Sequence, residues 1–318
     1  YVVRTDLGVG HSFPSALEAV TPAQLRRWLP AQISDEALLD YAYNKQLRPA
    51  TIPATLDDLL IEQALAREIG RILVEAARPT WKMGLGPLLP PFNPIIGAGA
   101  ILAEAPHPGV SAMLLLDALQ PVGMVDLRLD PHQALAALGV VAYLKPVVTV
   151  QALETGALVD LGTAFCPLGW VRAGRPAMRV EIRQPGESLL RHIVHGGEFW
   201  LAPVAPGTRV EVTVSLARGL SLHGRRRLKR RLVTGAAGLI FDARGRPLIM
   251  PRAQDRARVL TAWLKAAMGG QLPEAAPPEP PEALRADMPD LAVPERGLLA
   301  AAGDYPAWDE EWTDASLS

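Results

Sequence analysis

The chain has 318 residues, 49% hydrophobic but only 5% aromatic, with a formal net charge of −1. That length allows two domains and a sizeable core, and the near-neutral charge excludes a chain-wide affinity for polyanions while leaving room for a local patch. One cysteine, Cys166, excludes an internal disulfide and a cysteine-built metal cage; a reducing cytoplasm is the expected location. No apolar run reaches the roughly 18 residues a membrane helix needs, so no membrane partner is expected. Runs such as "LGVVAYL" are core-sized.

The opening "YVVRTDLGVG" has no Met, no basic segment and no cleavage site. It starts inside an apolar run, so the sequence is expected to be the C-terminal portion of a longer protein. Thr21-Pro22 reads as an N-cap followed by Pro at the first helical position. Ser34 opens a second helix with Asp35 and Glu36 in its first turn. Thr55 and Asp58 form a capping-box pattern. The helix after them turns Leu56, Leu60, Ile69, Leu73 and Ala76 to one side, and leaves Asp57, Glu62, Arg67, Arg71 and Glu75 for water. Pro79 ends it. A strand at Ile95-Ile96, a helix in "VSAMLLLDAL", a strand "MVDLRL" and a helix capped by Asp130-Pro131 follow. This alternation predicts an α/β domain over residues 1–165.

Beyond residue 165 the period becomes two. Val210, Val212, Val214 and Leu216 share one face of a strand, as do Met178, Val180 and Ile182 of another. "GGEFWLAPVAPG", "LSLHG" and "AGLIFDARGRPLI" are further short runs bounded by Gly and Pro. Residues 166–270 are therefore expected to form a small, mainly β domain. It closes with a helix near 253–268 that packs Val259, Leu260, Trp263 and Leu264 and stops at Gly269-Gly270. Residues 271–318 carry eight prolines and eleven acidic residues against two arginines, a net charge of −9. That composition buries too little apolar surface to offset chain entropy, so an acidic, Pro-rich tail is expected.

Several segments together resemble the glutamate mutase accessory proteins of mutase operons. They are "VVRTDLGVGHS", "ATLDDLLIEQALAREIGRILVEAA", "PIIGAGAILAEAPHPG" with "LDPHQALAALGVVA" after it, and "GLIFDARGRPL". The resemblance implies a lobe of the actin, sugar-kinase and heat-shock ATPase fold with its N-terminal lobe missing. It implies ATP with Mg²⁺ as cofactor, an adenosylcobalamin-dependent mutase as partner, and a role in supporting or reactivating that mutase. Two departures stand out. The family's opening Asp-x-Gly-Gly phosphate turn is absent, and Ala98 and Ala100 stand where Gly is usual. The sequence as it stands is thus expected to lack ATPase activity that the full-length protein would have. The alternative is a non-enzymatic interaction scaffold that works through the basic β domain.

Gly97, Ala98, Gly99 and Ala100 form the candidate nucleotide-binding turn. Without a Cβ, Gly97 and Gly99 let a ribose or phosphate approach the backbone, and a helix behind them would present free N–H groups; the competing reading is close strand–helix packing. Asp6, in "DLGVGHS", is the candidate for orienting Mg²⁺ through water, and Asp160, in "VDLGTAF", is a weaker parallel. No metal site is expected: His192 and His195 lie three apart with Glu198 beyond, and positions i and i+3 of a strand point to opposite faces. Cys166 has no neighbouring base in sequence and reads as a buried structural thiol. In "RRRLKRR", Arg225, Arg226, Arg227, Lys229, Arg230 and Arg231 are the candidate contacts for an anion or partner. Nucleic acid is not expected, because no aromatic residues interleave. The tail is expected to lie over this basic run.

Overall fold

The structure is a computed structural model that describes residues 3–29, 33–81 and 88–272. The chain divides into two units, Tyr1–Ala275 and Ala276–Ser318; every described residue falls in the first. The acidic tail from residue 273 onward, and its placement over the basic run, lie outside the described residues.

Four helices come first: α1 (Phe13–Ala19), α2 (Pro22–Arg26), α3 (Asp35–Leu47) and α4 (Leu56–Ala77). Their starts follow the local capping chemistry. Thr21 and Gln24 make a reciprocal box, Ser34 accepts from the Ala37 N–H, and Thr55 and Asp58 complete a second box, each satisfying N–H groups that the first helical turn leaves unpaired. Helix α4 corrects one expectation. Glu62 and Arg67 are not left to water but buried, because α4 packs against α6 (Pro108–Leu119) and also against α1 and α2. Each buried charge finds a partner. Glu62 accepts from Tyr41 Oη at 2.8 Å and lies 2.6 Å from Lys45 Nζ. Arg67 Nε donates to Asp117 Oδ2 at 2.7 Å. Glu68, also buried, accepts from Trp28 Nε1 at 2.7 Å and from Arg71 Nε at 2.9 Å. Leu56, expected inside, is exposed.

Two sheets follow. The first has the order β1-β2-β3-β9-β6, made of β1 (Ile95–Ala98), β2 (Gly123–Asp130), β3 (Val159–Cys166), β9 (Leu239–Asp242) and β6 (Phe199–Ala202). β1 with β2 and β3 with β9 are parallel; β2 with β3 and β6 with β9 are antiparallel. The second sheet is antiparallel, β5-β4-β7-β8, made of β5 (Leu190–His195), β4 (Pro176–Arg183), β7 (Arg209–Leu216) and β8 (Arg227–Val233). The first sheet thus takes strands from both sides of residue 165.

Alternation along the strands sends side chains into two cores. Leu161, Ala164, Cys166 and Ile240 join a cluster with α4, α6 and α9 (Arg256–Ala267). Phe165, Leu239 and Phe241 join Val180, Ile182, Val212 and Val214 of the second sheet in another. The rings of Phe165 and Phe241 stack at 4.8 Å. The layers are helices, first sheet, second sheet.

Helices α7 (Ala134–Leu144) and α8 (Pro146–Glu154) pack on each other between β2 and β3. The Asp130 carboxylate caps α7, accepting from the Ala134 and Leu135 N–H groups at 2.9 Å each. No residue of either helix is buried. "LGVVAYL" is therefore an exposed hairpin face and not core; Tyr143 is 90% exposed.

The stretch "FDARGRP" ties the layers together. Asp242 accepts two hydrogen bonds from the Arg244 guanidinium, at 2.9 Å each, one from the Arg244 backbone N–H at 3.1 Å and one from Arg246 at 2.7 Å. Arg246 also donates to the Pro121 carbonyl at 2.9 Å. Arg244 Nη2 lies 2.7 Å from Asp117 Oδ1, an ion-pair distance without hydrogen-bond alignment. All four residues are buried. Arg244 Nη1 has no hydrogen-bond partner among the described residues; the guanidinium instead lies between the rings of Phe199 and Trp263, at 5.0 and 4.8 Å, where ring faces attract a cation. Burial alone would raise the Asp242 carboxyl, but the two guanidiniums outweigh it and hold the group well below the usual carboxylate range.

Candidate functional site

The four residues of the candidate nucleotide turn do different things. Gly97 is buried in β1. A Cβ there would come within 2.8 Å of Leu102 Cδ1 and 3.0–3.1 Å of the Leu115 methyls, so its missing side chain serves strand–helix packing. Gly99 has φ +104°, and a Cβ there would meet nothing within 4 Å. It faces open space in a backbone conformation that favours glycine. Ala98 and Ala100 are exposed on either side of it. The helix behind, α5 (Ala100–Ala103), has four residues, too few to sum the peptide dipoles that favour an anion at a helix start. Backbone approach at Gly99 is what the turn offers.

The turn sits where β1 and β2 end together. Ala98 is in register with Asp130, and Arg128 with Asp160 at the start of β3. In sheets with parallel strands, ligands sit outside such C-terminal strand ends. The Asp130 carboxylate is committed to the α7 N–H groups, which hold it below its ordinary range, and Asp160 Oδ1 accepts from the Gly162 N–H at 2.9 Å. The acids at this edge are therefore spent on backbone donors.

Asp6 lies in the loop before α1. It is exposed and takes two hydrogen bonds from Arg4, at 2.7 and 2.5 Å. The Arg4 hydrogen bond lowers its carboxyl to about 2. The described residues contain no group of three or more His, Cys, Asp or Glu placed to hold a metal ion. At Gly99 the backbone is open to approach, and the Asp6 carboxylate is engaged by Arg4. Likewise His195 Nδ1 pairs with Glu198 at 3.2 Å, while the His192 ring stacks on Trp200 at 4.0 Å.

Cys166 is fully buried, and burial pushes its thiol up to about 12. The reactive form is the thiolate. An aromatic disulfide reagent should therefore leave the native chain unlabelled at neutral pH and label one thiol per chain in denaturant. Labelling at the same rate in both conditions would contradict the burial.

Strand alternation splits the basic run. Arg225 and Arg226 lie in the turn before β8; Arg227, Lys229 and Arg231 point outward; Arg230 is on the other side of this edge strand. Cross-strand register adds cations that sequence reading missed. One rung of the outer face runs Ile193–Arg179–Ser215–Arg227, the next Arg191–Glu181–Thr213–Lys229, the third Arg183–Glu211–Arg231, and Arg209 stands opposite Val233. Seven cations and two carboxylates share one exposed face. Glu211 pairs with Lys229 at 2.8 Å and Arg231 at 3.5 Å, and Glu181 with Arg191 at 3.4 Å. Among the described residues, Arg179, Arg183, Arg209 and Arg227 take part in none of these ion pairs. The signal was present as period-two charges opposite Met178, Val180 and Ile182, but the pairing that gathers four strands was not.

Residues 2–156 match the family model described as MutL protein. No curated protein and no solved structure matches the chain. No helix among the described residues is long and apolar enough to cross a membrane.

Proposed function

Through residues 2–156 the chain belongs to the MutL family, the accessory proteins of glutamate mutase systems, and on that premise we propose that it is an ATP-binding factor that reactivates an adenosylcobalamin-dependent mutase. The observation that carries the nucleotide part is Gly99, open and without a side chain at the C-terminal edge of the β1–β2 pair. When bound, ATP would supply the free-energy difference that moves the protein between two states with different affinity for the mutase. The chain's own contribution is to let the nucleotide reach the Gly99 backbone, with Ala98 and Ala100 too small to obstruct it. Gly97 holds β1 against Leu102 and Leu115 and so fixes the turn. The lobe is read as actin-like on the family relation alone.

The test uses a glutamate-mutase-type enzyme inactivated by turnover. Adding this chain with ATP and Mg²⁺ is expected to restore mutase activity, and adding it without nucleotide is not. Equal recovery in both arms would remove ATP from the proposal, and no recovery in either would remove reactivation. A second reading, a non-enzymatic scaffold, is favoured by one observation: the outer face of the second sheet gathers seven cations against two carboxylates, a surface suited to an anionic partner.

A further inference from the structure

The outer face of the second sheet continues into a shallow cavity of about 520 Å³ where β4 and β8 end and β7 begins. Arg183, Arg209 and Arg231 stand around it, with Glu211 beside Arg231, and Pro185, Leu232 and Val233 give it apolar walls. Farther along the same face, beyond the Glu181 rung, one rung presents Arg179 and Arg227. We infer that this face is a docking surface for an acidic polypeptide that carries one apolar anchor residue. The anchor fills the cavity, and carboxylates flanking it meet the arginines.

Three observations choose this occupant. First, the cations are almost all arginine, and the planar guanidinium fork matches a carboxylate in two hydrogen bonds. Second, four of them have no ion pair to break among those described, so a partner's carboxylates displace only water. Third, Glu181 and Glu211 hold the middle of the central rungs. A phosphodiester backbone, negative along its whole length, would run over them. A protein segment can place a neutral or basic side chain there and its acids elsewhere. The uncharged outward positions of these rungs are Ile193, Ser215, Thr213 and Val233, with His195 continuing the β5 side where its ring pairs with Glu198, so the rungs offer no Phe, Tyr or Trp ring on which a base could stack. This inference stands on the sheet alone and does not depend on nucleotide binding.

The test titrates the full chain with a fluorescent oligoglutamate peptide carrying one central phenylalanine, and follows anisotropy at low salt. The peptide is expected to bind, to weaken as salt rises, and to weaken when the phenylalanine is replaced by serine. A variant with Arg179→Gln, Arg183→Gln, Arg209→Gln and Arg227→Gln should bind at least about tenfold more weakly, the loss of a few exposed charge contacts. A control with Arg48→Gln, Lys145→Gln, Arg252→Gln and Lys265→Gln removes the same charge from exposed positions on other elements and should bind like the parent. All eight side chains are exposed, so both variants should keep the parent's circular dichroism. If the fourfold face variant fails to fold, Arg183→Gln alone at the cavity rim replaces it, with a smaller loss of the same sign. Equal weakening by face variant and control would overturn the inference, since net charge would then be the whole effect. Tighter binding of a single-stranded oligonucleotide of matched charge would overturn it in favour of nucleic acid.

Discussion

Replacing Asp242 with alanine should cost about 3–5 kcal/mol of folding stability, the size expected when one member of a buried ion pair is removed and its partner stays charged. Here two partners stay behind. Arg244 and Arg246 are both buried, and Arg244 would keep only Asp117 nearby. A urea titration followed by tryptophan fluorescence reads the loss directly, because the Trp263 ring covers Arg244. The pH dependence has a definite sign. The folded carboxyl of Asp242 titrates below its unfolded value of about 3.9. Its contribution is therefore fully present above roughly pH 4 and is lost as pH falls through the lower folded value. The parent chain should lose stability as the solution is acidified below that point. An Asp242→Asn chain, weaker at neutral pH, should show a shallower acid fall. A loss below about 1 kcal/mol for Asp242→Ala would mean that the network is decoration on a core held by apolar packing.

What the sequence made legible was local. Thr21, Ser34 and Thr55 cap helices because a hydroxyl and the N–H groups it serves lie within three residues, and that chemistry needs no tertiary context. The buried faces of β4 and β7 follow from alternation in the same way. What stayed hidden depends on distant partners. Glu62 and Arg67 look like a solvated stripe on one helix, yet the groups that neutralise them are Lys45 on α3 and Asp117 on α6. Nothing within α4 announces either. The apolar α7–α8 hairpin misleads in the opposite direction: its composition suits a core, and its position outside the layers leaves it exposed. The candidate turn was half legible. "GAG" signals close backbone approach, but only the fold assigns Gly97 to packing and Gly99 to open space.

That division gives the second large effect. An Ala100→Glu substitution puts a carboxylate beside the open Gly99 position, on an exposed site at the start of α5, where an acid does not harm the helix. Nucleotide affinity should fall at least about tenfold through like-charge repulsion in a partly desolvated contact, with thermal stability unchanged. Gly97→Val should behave differently. Its branched side chain would meet Leu102 and Leu115, and overpacking of this kind costs about 1–3 kcal/mol. Loss of binding in a Gly97 variant would then report a damaged strand and not a lost contact. Calorimetric titration with ATP, beside thermal melts of each variant, separates the two. If Ala100→Glu binds ATP like the parent, the turn serves packing at Gly97 and nothing else.

The most direct measurement of the central claim is photolabelling with an azido-adenine analogue of ATP, followed by mapping of the modified peptides. Covalent capture records even weak binding, and it reads position without relying on mutase activity. The proposal predicts label in the peptide spanning residues 95–103, reduced by excess ATP and by Ala100→Glu. Label distributed without competition by ATP, or competed label confined to peptides outside that turn, would contradict it.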